Sequence, residues 1–161
     1  MFKINYKKFL LNSIIVFIIF FLDRVSKIYI LNKVETDGLV DIYLNPYLNL
    51  YLIWNKGIAF GLFSFNDDLI YNLISSVIVI ILIVIIFLII KSKGIMSYSL
   101  ILVLGGALGN LYDRLYYSAV PDFIDFHIKD FHWFVFNLAD IFITLGIIIF
   151  LMKDLVTKKS K

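Results

Sequence analysis

Cysteine is absent from these 161 residues. That excludes a disulfide framework, a thiolate nucleophile and a cysteine-based metal site. Alanine is also missing before Ala59. Lys3, Lys7 and Lys8, followed by an apolar run at 10–22, look like the start of a secretory signal, but no A-x-A cleavage site follows them. The segment is therefore expected to be a retained first span. Charge is scarce: 17% of the chain is charged, against 61% hydrophobic and 17% aromatic. Soluble domains are about 45–50% apolar, so this composition points to an integral membrane protein. No internal repeat or low-complexity linker divides the chain, and one domain over 1–161 is expected.

What is present is long apolar runs. Residues 9–31, 69–90, 95–115 and 134–152 are each long enough to cross about 30 Å of hydrocarbon at about 1.5 Å per helical residue. Only helices or closed barrels satisfy their backbone in lipid, and uninterrupted runs of this length argue helix. The link Lys91-Ser92-Lys93-Gly94 is short, so spans two and three should form an antiparallel pair. Lys3, Lys7, Lys8, Lys91, Lys93, Lys153, Lys158, Lys159 and Lys161 all fall on one side, with Asp154 the one acidic residue among them. By the positive-inside rule that side is cytoplasmic and holds both termini.

The opposite face carries loops 32–68 and 116–135. In the first, Val40, Ile42 and Leu44 alternate with other residues, as do Leu48, Leu50, Leu52 and Trp54. Asn55-Lys56-Gly57 reads as a turn before an apolar segment at 58–63. The expected fold class is thus an all-α membrane protein: four transmembrane helices with a small extracytoplasmic sheet, at about 40–63, between spans one and two. Its tyrosines and Trp54 suit the headgroup region. The second loop, 122–133, is expected to lie along the interface.

Polar groups from three spans meet in one outer layer. Asp23 follows Leu10 by roughly 20 Å of helix, which puts it in the outer half of span one. Asn110, Asp113 and Arg114 close span three, and Asn137 and Asp140 open span four. Asp113 and Arg114 could pair with each other. Asp23 could pair with Lys27, reach Arg114, or reach the outer sheet. Gly105-Gly106-Ala107-Leu108-Gly109 lets backbones approach closely.

Two carboxylates stand out. Asp140 could simply cap the fourth helix, but Asp122 in the preceding loop can fold back to the same place. Two adjacent carboxylates share one proton at working pH. One can then act as base on a water while the other polarises a carbonyl. No serine or lysine with a neighbouring base competes as nucleophile. Asp122, Asp125, His127, Asp130 and His132 could instead hold a metal, but their spacing is no zinc signature and no metal is expected. A channel with an outer polar vestibule would need polar residues through the inner halves of the spans. Tyr71, Asn72, Ser75 and Ser76 are all outer, and 145–152 offers no path.

At these residues the sequence resembles the bacterial lipoprotein signal peptidases (signal peptidase II). The resemblance runs through Asp23-Arg24-Val25-Ser26-Lys27, Asn55-Lys56-Gly57-Ile58-Ala59-Phe60-Gly61, the stretch from Gly105 to Arg114, Val120-Pro121-Asp122-Phe123-Ile124-Asp125 and Phe136-Asn137-Leu138-Ala139-Asp140. It implies a catalytic pair at Asp122 and Asp140, supported by Asp23, Asn55, Gly57, Asn110, Asp113, Arg114, Asn137 and Ala139. It implies a prolipoprotein substrate whose lipobox cysteine carries diacylglycerol, cut just before that cysteine, and inhibition by globomycin-type cyclic peptides. No cofactor and no nucleic acid partner are expected, and the chain is expected to be a monomer surrounded by lipid in the bacterial cell membrane. The chain departs from the family pattern at Pro121, where Val is usual, and at Ile58, where Ala is usual.

Overall fold

The computed structural model describes residues 6–57 and 68–159. In chain order it holds α1 (Tyr6–Asp37), β1 (Asp41–Asn45), β2 (Leu48–Asn55), α2 (Asp68–Lys91), α3 (Ile95–Tyr117), β3 (Val120–Ile128), β4 (Phe131–Phe136) and α4 (Leu138–Lys159). From Tyr71 onward α2 is long and apolar enough to cross a membrane, and so is α3. α1 and α4 carry charged residues within their length: Asp23, Arg24 and Lys27 in one, Asp140, Lys153 and Asp154 in the other. Exposed Leu73, Val77, Ile80 and Ile83 leave α2 apolar on its outer surface, as a helix facing lipid is.

Helix α3 is the hub, and its glycines explain why. A Cβ on Gly105 would stand 2.8 Å from Ile19 of α1, and one on Gly106 would stand 2.5 Å from the Ala139 carbonyl oxygen of α4. At Gly109 it would strike the Asp23 carboxylate. The missing side chains let α1 and α4 approach the α3 backbone, which is where Asn110, Asp113 and Arg114 lie. Below this layer Leu82, Ile85 and Ile89 pack with Leu100, Ile101 and Leu104 to join α2 to α3.

The sheet differs from expectation. Among the described residues it has four antiparallel strands in the order β1-β2-β3-β4. Half of it therefore comes from the second loop, which was expected to lie along the interface and was not assigned strands, and the sheet is not confined to the segment between the first two helices. β3 covers the edge of β2 that would otherwise be exposed, pairing Leu48 with Phe126 and Asn55 with Val120. The β3–β4 turn carries Lys129 at φ 54 and no glycine, so the usual hairpin signal was missing. Of the expected sheet segment, 58–63 lies outside the described residues. The fourth helix also begins later than expected: β4 continues through Phe136, and α4 starts at Leu138.

Pro121 lies in β3, an inner strand, where a missing backbone donor is unusual. Pairing with β4 begins only at Ile124, so Pro121 is flanked by β2 alone, opposite Trp54. That position accommodates it.

Candidate active site

Asp122 is buried, at 3% exposure, and both of its oxygens accept hydrogen bonds. Asn55 Nδ2 donates to Oδ2 at 2.8 Å, and Asn137 Nδ2 donates to Oδ1 at 2.6 Å. Asn55 is aimed by the backbone beside it, since its Oδ1 accepts from Gly57 N at 2.8 Å. Arg114 Nη2 donates to the Gly57 carbonyl at 2.8 Å and so ties this turn to α3. Tyr71 of α2 donates to the Arg114 carbonyl at 3.1 Å. Arg114 does not pair with Asp113, one of the two pairings the sequence left open.

Asp140 sits in the first turn of α4 and does cap it. Asn137 Oδ1 accepts from Asp140 N at 3.2 Å, while Asp140 Oδ2 accepts from Asn137 N at 3.1 Å. This is a reciprocal capping box. Capping uses one carboxylate oxygen. The other, Oδ1, accepts from Asn110 Nδ2 of α3 at 2.9 Å. Asn137 thus touches both acids, one through its side-chain amide and the other through its backbone. The carboxyl of Asp122 is pushed up from 3.8 to about 6, first by burial and second by the charge of Asp140. Hydrogen bonds from Asn137 and Asn55, and the charge of Lys27, oppose that rise.

Beneath the pair lies a buried charge cluster of two anions and two cations. Arg24 is bidentate on Asp113, at 2.5 and 2.8 Å, and also reaches Asp23 at 2.9 Å. Lys27 is fully buried and spends its three donors on Asp23 at 3.0 Å, Asp113 at 2.6 Å and Asn110 Oδ1 at 2.9 Å. The second oxygen of Asp23 accepts from Ala139 N at 3.1 Å, satisfying a donor that the first turn of α4 leaves open. Two short relays therefore run from this cluster to Asp140: Lys27 to Asn110 to Asp140, and Asp23 to Ala139 beside it. All ten residues expected at the site fall within this connected network.

The metal alternative divides. Asp125, His127 and His132 come together. Asp122, three residues before Asp125 on β3, is turned instead to Asn55 and Asn137. Asp130 is exposed in the hairpin turn.

Residues 15–156 match the family described as signal peptidase (SPase) II. A lipoprotein signal peptidase of Pelagibacter ubique is 53% identical over 99% of this chain and 96% of its own. One from Anaplasma phagocytophilum is 44% identical over 92% of this chain and 94% of its own. The chain belongs to the signal peptidase II family.

A solved bacterial membrane enzyme, determined in meso at 2.3 Å, superposes with a TM-score of 0.77 at 28% identity, covering 93% of this chain and 90% of that one. Family and apolar helices together mark the protein as a membrane protein and a peptidase. Two residues of this signal peptidase II network escaped the sequence reading as site residues. Arg24 was passed over, and Lys27 was considered only as a partner for Asp23. Charge balance was the available signal, because two buried carboxylates at one depth require cations beside them.

Proposed function

We propose that this chain is a membrane-embedded aspartic endopeptidase that removes the signal peptide from diacylglyceryl-modified prolipoproteins, cutting before the lipidated cysteine of the lipobox. One observation carries the reading: Asn137 holds both acids, Asp122 through its side-chain amide and Asp140 through its backbone N, so one residue ties the two buried carboxyls together. The rise of the Asp122 carboxyl to about 6 supports a pair that holds a single proton near neutrality.

In this mechanism the ionised acid takes a proton from water as the oxygen attacks the scissile carbonyl. The protonated acid gives its proton to the carbonyl oxygen, forming a gem-diol. Collapse of the gem-diol breaks the C–N bond. The proton gained by the base passes to the departing amine of the lipidated cysteine, and the new carboxyl remains on the signal peptide. Asn55 and Asn137 orient Asp122, Asn110 and the capping box orient Asp140, and the buried charge cluster fixes both relays. Preorganisation of this kind avoids reorganisation during the reaction.

The four helices all span in this proposal, with both termini cytoplasmic and the acids near the outer face in one domain. A site at that depth receives the signal helix and acyl chains laterally from lipid and water from outside. The test is cleavage of a diacylglyceryl prolipoprotein by purified protein in lipid, with mass spectrometry of the product. A new N-terminus at the lipidated cysteine is expected. Cleavage at another bond, or equal cleavage of the unlipidated precursor, would overturn the substrate assignment.

A further inference from the structure

Further along β3 than Asp122, two histidines and a carboxylate converge. His127 and His132 are cross-strand partners in the β3–β4 hairpin, and their rings stack with centroids 4.9 Å apart at 23°. Both present Nδ1 to the same oxygen of Asp125. His132 Nδ1 lies 2.9 Å from Asp125 Oδ2 and His127 Nδ1 lies 3.2 Å from it. Asp125 is wholly buried, His127 nearly so, and the side chain of His132 is half-exposed at 51%.

Hydrogen bonding accounts for only part of this cluster. One side-chain contact, between His132 Nδ1 and Asp125 Oδ2, has hydrogen-bond geometry, and the tautomer of the ring decides where its proton sits. Among the described residues, Asp125 Oδ1 and His127 Nδ1 are buried without a hydrogen-bond partner, and so is Oδ1 of Asn49, which sits directly across from Asp125 on β2. Orphaned buried atoms are rare in native proteins, and a bound ion is one way of satisfying several that converge. With both imidazole protons on Nε2, the two Nδ1 lone pairs and the carboxylate point at one volume.

We propose that Asp125, His127 and His132 bind a divalent transition-metal ion, Zn2+ in the first instance, which pins β4 to β3. Two imidazoles and a carboxylate are a donor set that zinc accepts. Their donor atoms lie within 4.8 Å of one another. A tetrahedral ion with bonds of about 2.0–2.2 Å needs separations near 3.4 Å, so Asp125 Oδ2, now 2.9 and 3.2 Å from the two Nδ1 atoms, moves from them by only a few tenths of an ångström. Half-exposed His132 provides the access route and leaves the fourth position to water. The site is distinct from the acid pair, and its role is to hold the hairpin that leads into Asn137.

The test uses untagged full-length protein in detergent, stripped with chelator and titrated with Zn2+. Saturable binding of about one ion per chain is expected. His132→Ala and His127→Ala should each weaken it by about tenfold or more. His132→Cys replaces one zinc ligand by another and should restore it. Because the chain has no other cysteine, alkylation of that variant reads the site directly: Zn2+ should protect its thiol and chelator should expose it. Absence of saturable binding to the wild type, unchanged binding in both alanine variants, or a thiol equally reactive with and without Zn2+ would each overturn the proposal.

Discussion

Replacing Lys27 by methionine tests whether the charge cluster holds the site together. Lys27 is fully buried, and its ammonium contacts Asp23 at 3.0 Å and Asp113 at 2.6 Å. Lys27→Met keeps an unbranched chain but removes one of two cations that balance two anions. Arg24 still holds Asp113 with two nitrogens and Asp23 with only one, so the excess negative charge falls mainly on Asp23. Breaking a buried pair from one side costs about 3–5 kcal/mol, because the remaining charge is uncompensated. Asn110 Oδ1 also loses its ammonium donor, which loosens its amide against Asp140. The assay is reversible unfolding in mixed micelles, with cleavage measured alongside. Adding Asp23→Asn to Lys27→Met restores neutrality and keeps an Oδ1 acceptor for Ala139 N. The double variant should therefore be more stable than the summed single effects by about 1–3 kcal/mol. A single-variant cost below about 1 kcal/mol, or strict additivity, would refute the reasoning.

Other perturbations address other parts of the account. Folded Asp122 titrates at about 6 against an ordinary 3.8. Between those values the fold holds a proton that the unfolded chain has lost. Its contribution to stability is therefore complete below 3.8 and disappears as pH rises through about 6. Melting temperature should rise on acidification from about pH 7 to about pH 5, and Asp122→Asn should flatten that rise. Gly106→Ala would set a methyl 2.5 Å from the Ala139 carbonyl oxygen. It should separate α3 from α4 at a cost of about 1–3 kcal/mol, measured by unfolding, with cleavage falling in parallel. Single cysteines at Ser92 and at Lys129, introduced into this cysteine-free chain, test topology. An impermeant thiol reagent applied outside intact cells should label only the one at Lys129.

Much of the architecture was legible because lipid imposes simple rules. Apolar runs gave helices at nearly the right places, and the alternation around Val40–Trp54 marked β1 and β2. Convergence of Asp23, Asn110, Asp113, Asn137 and Asp140 followed from the expected topology alone. The second half of the sheet was hidden. Its strand Phe131–Phe136 is aromatic enough to read as the start of a span, and its turn uses Lys129 instead of glycine. Pairings were hidden for another reason. Asp113 could have met neighbouring Arg114, but a side chain one position along a helix points elsewhere, and Arg24 of α1 takes Asp113 instead. Only tertiary packing across Gly109 decides that choice.

The claim on which everything else rests is that Asp122 and Asp140 together perform the hydrolysis. The most direct measurement is single-turnover cleavage of a diacylglyceryl prolipoprotein by Asp122→Asn and Asp140→Asn, each with its helical content checked by circular dichroism. The account predicts folded proteins whose cleavage rate falls by about a thousandfold or more, the scale of losing an acid or base that the step requires. Near-normal turnover by either folded variant would contradict it.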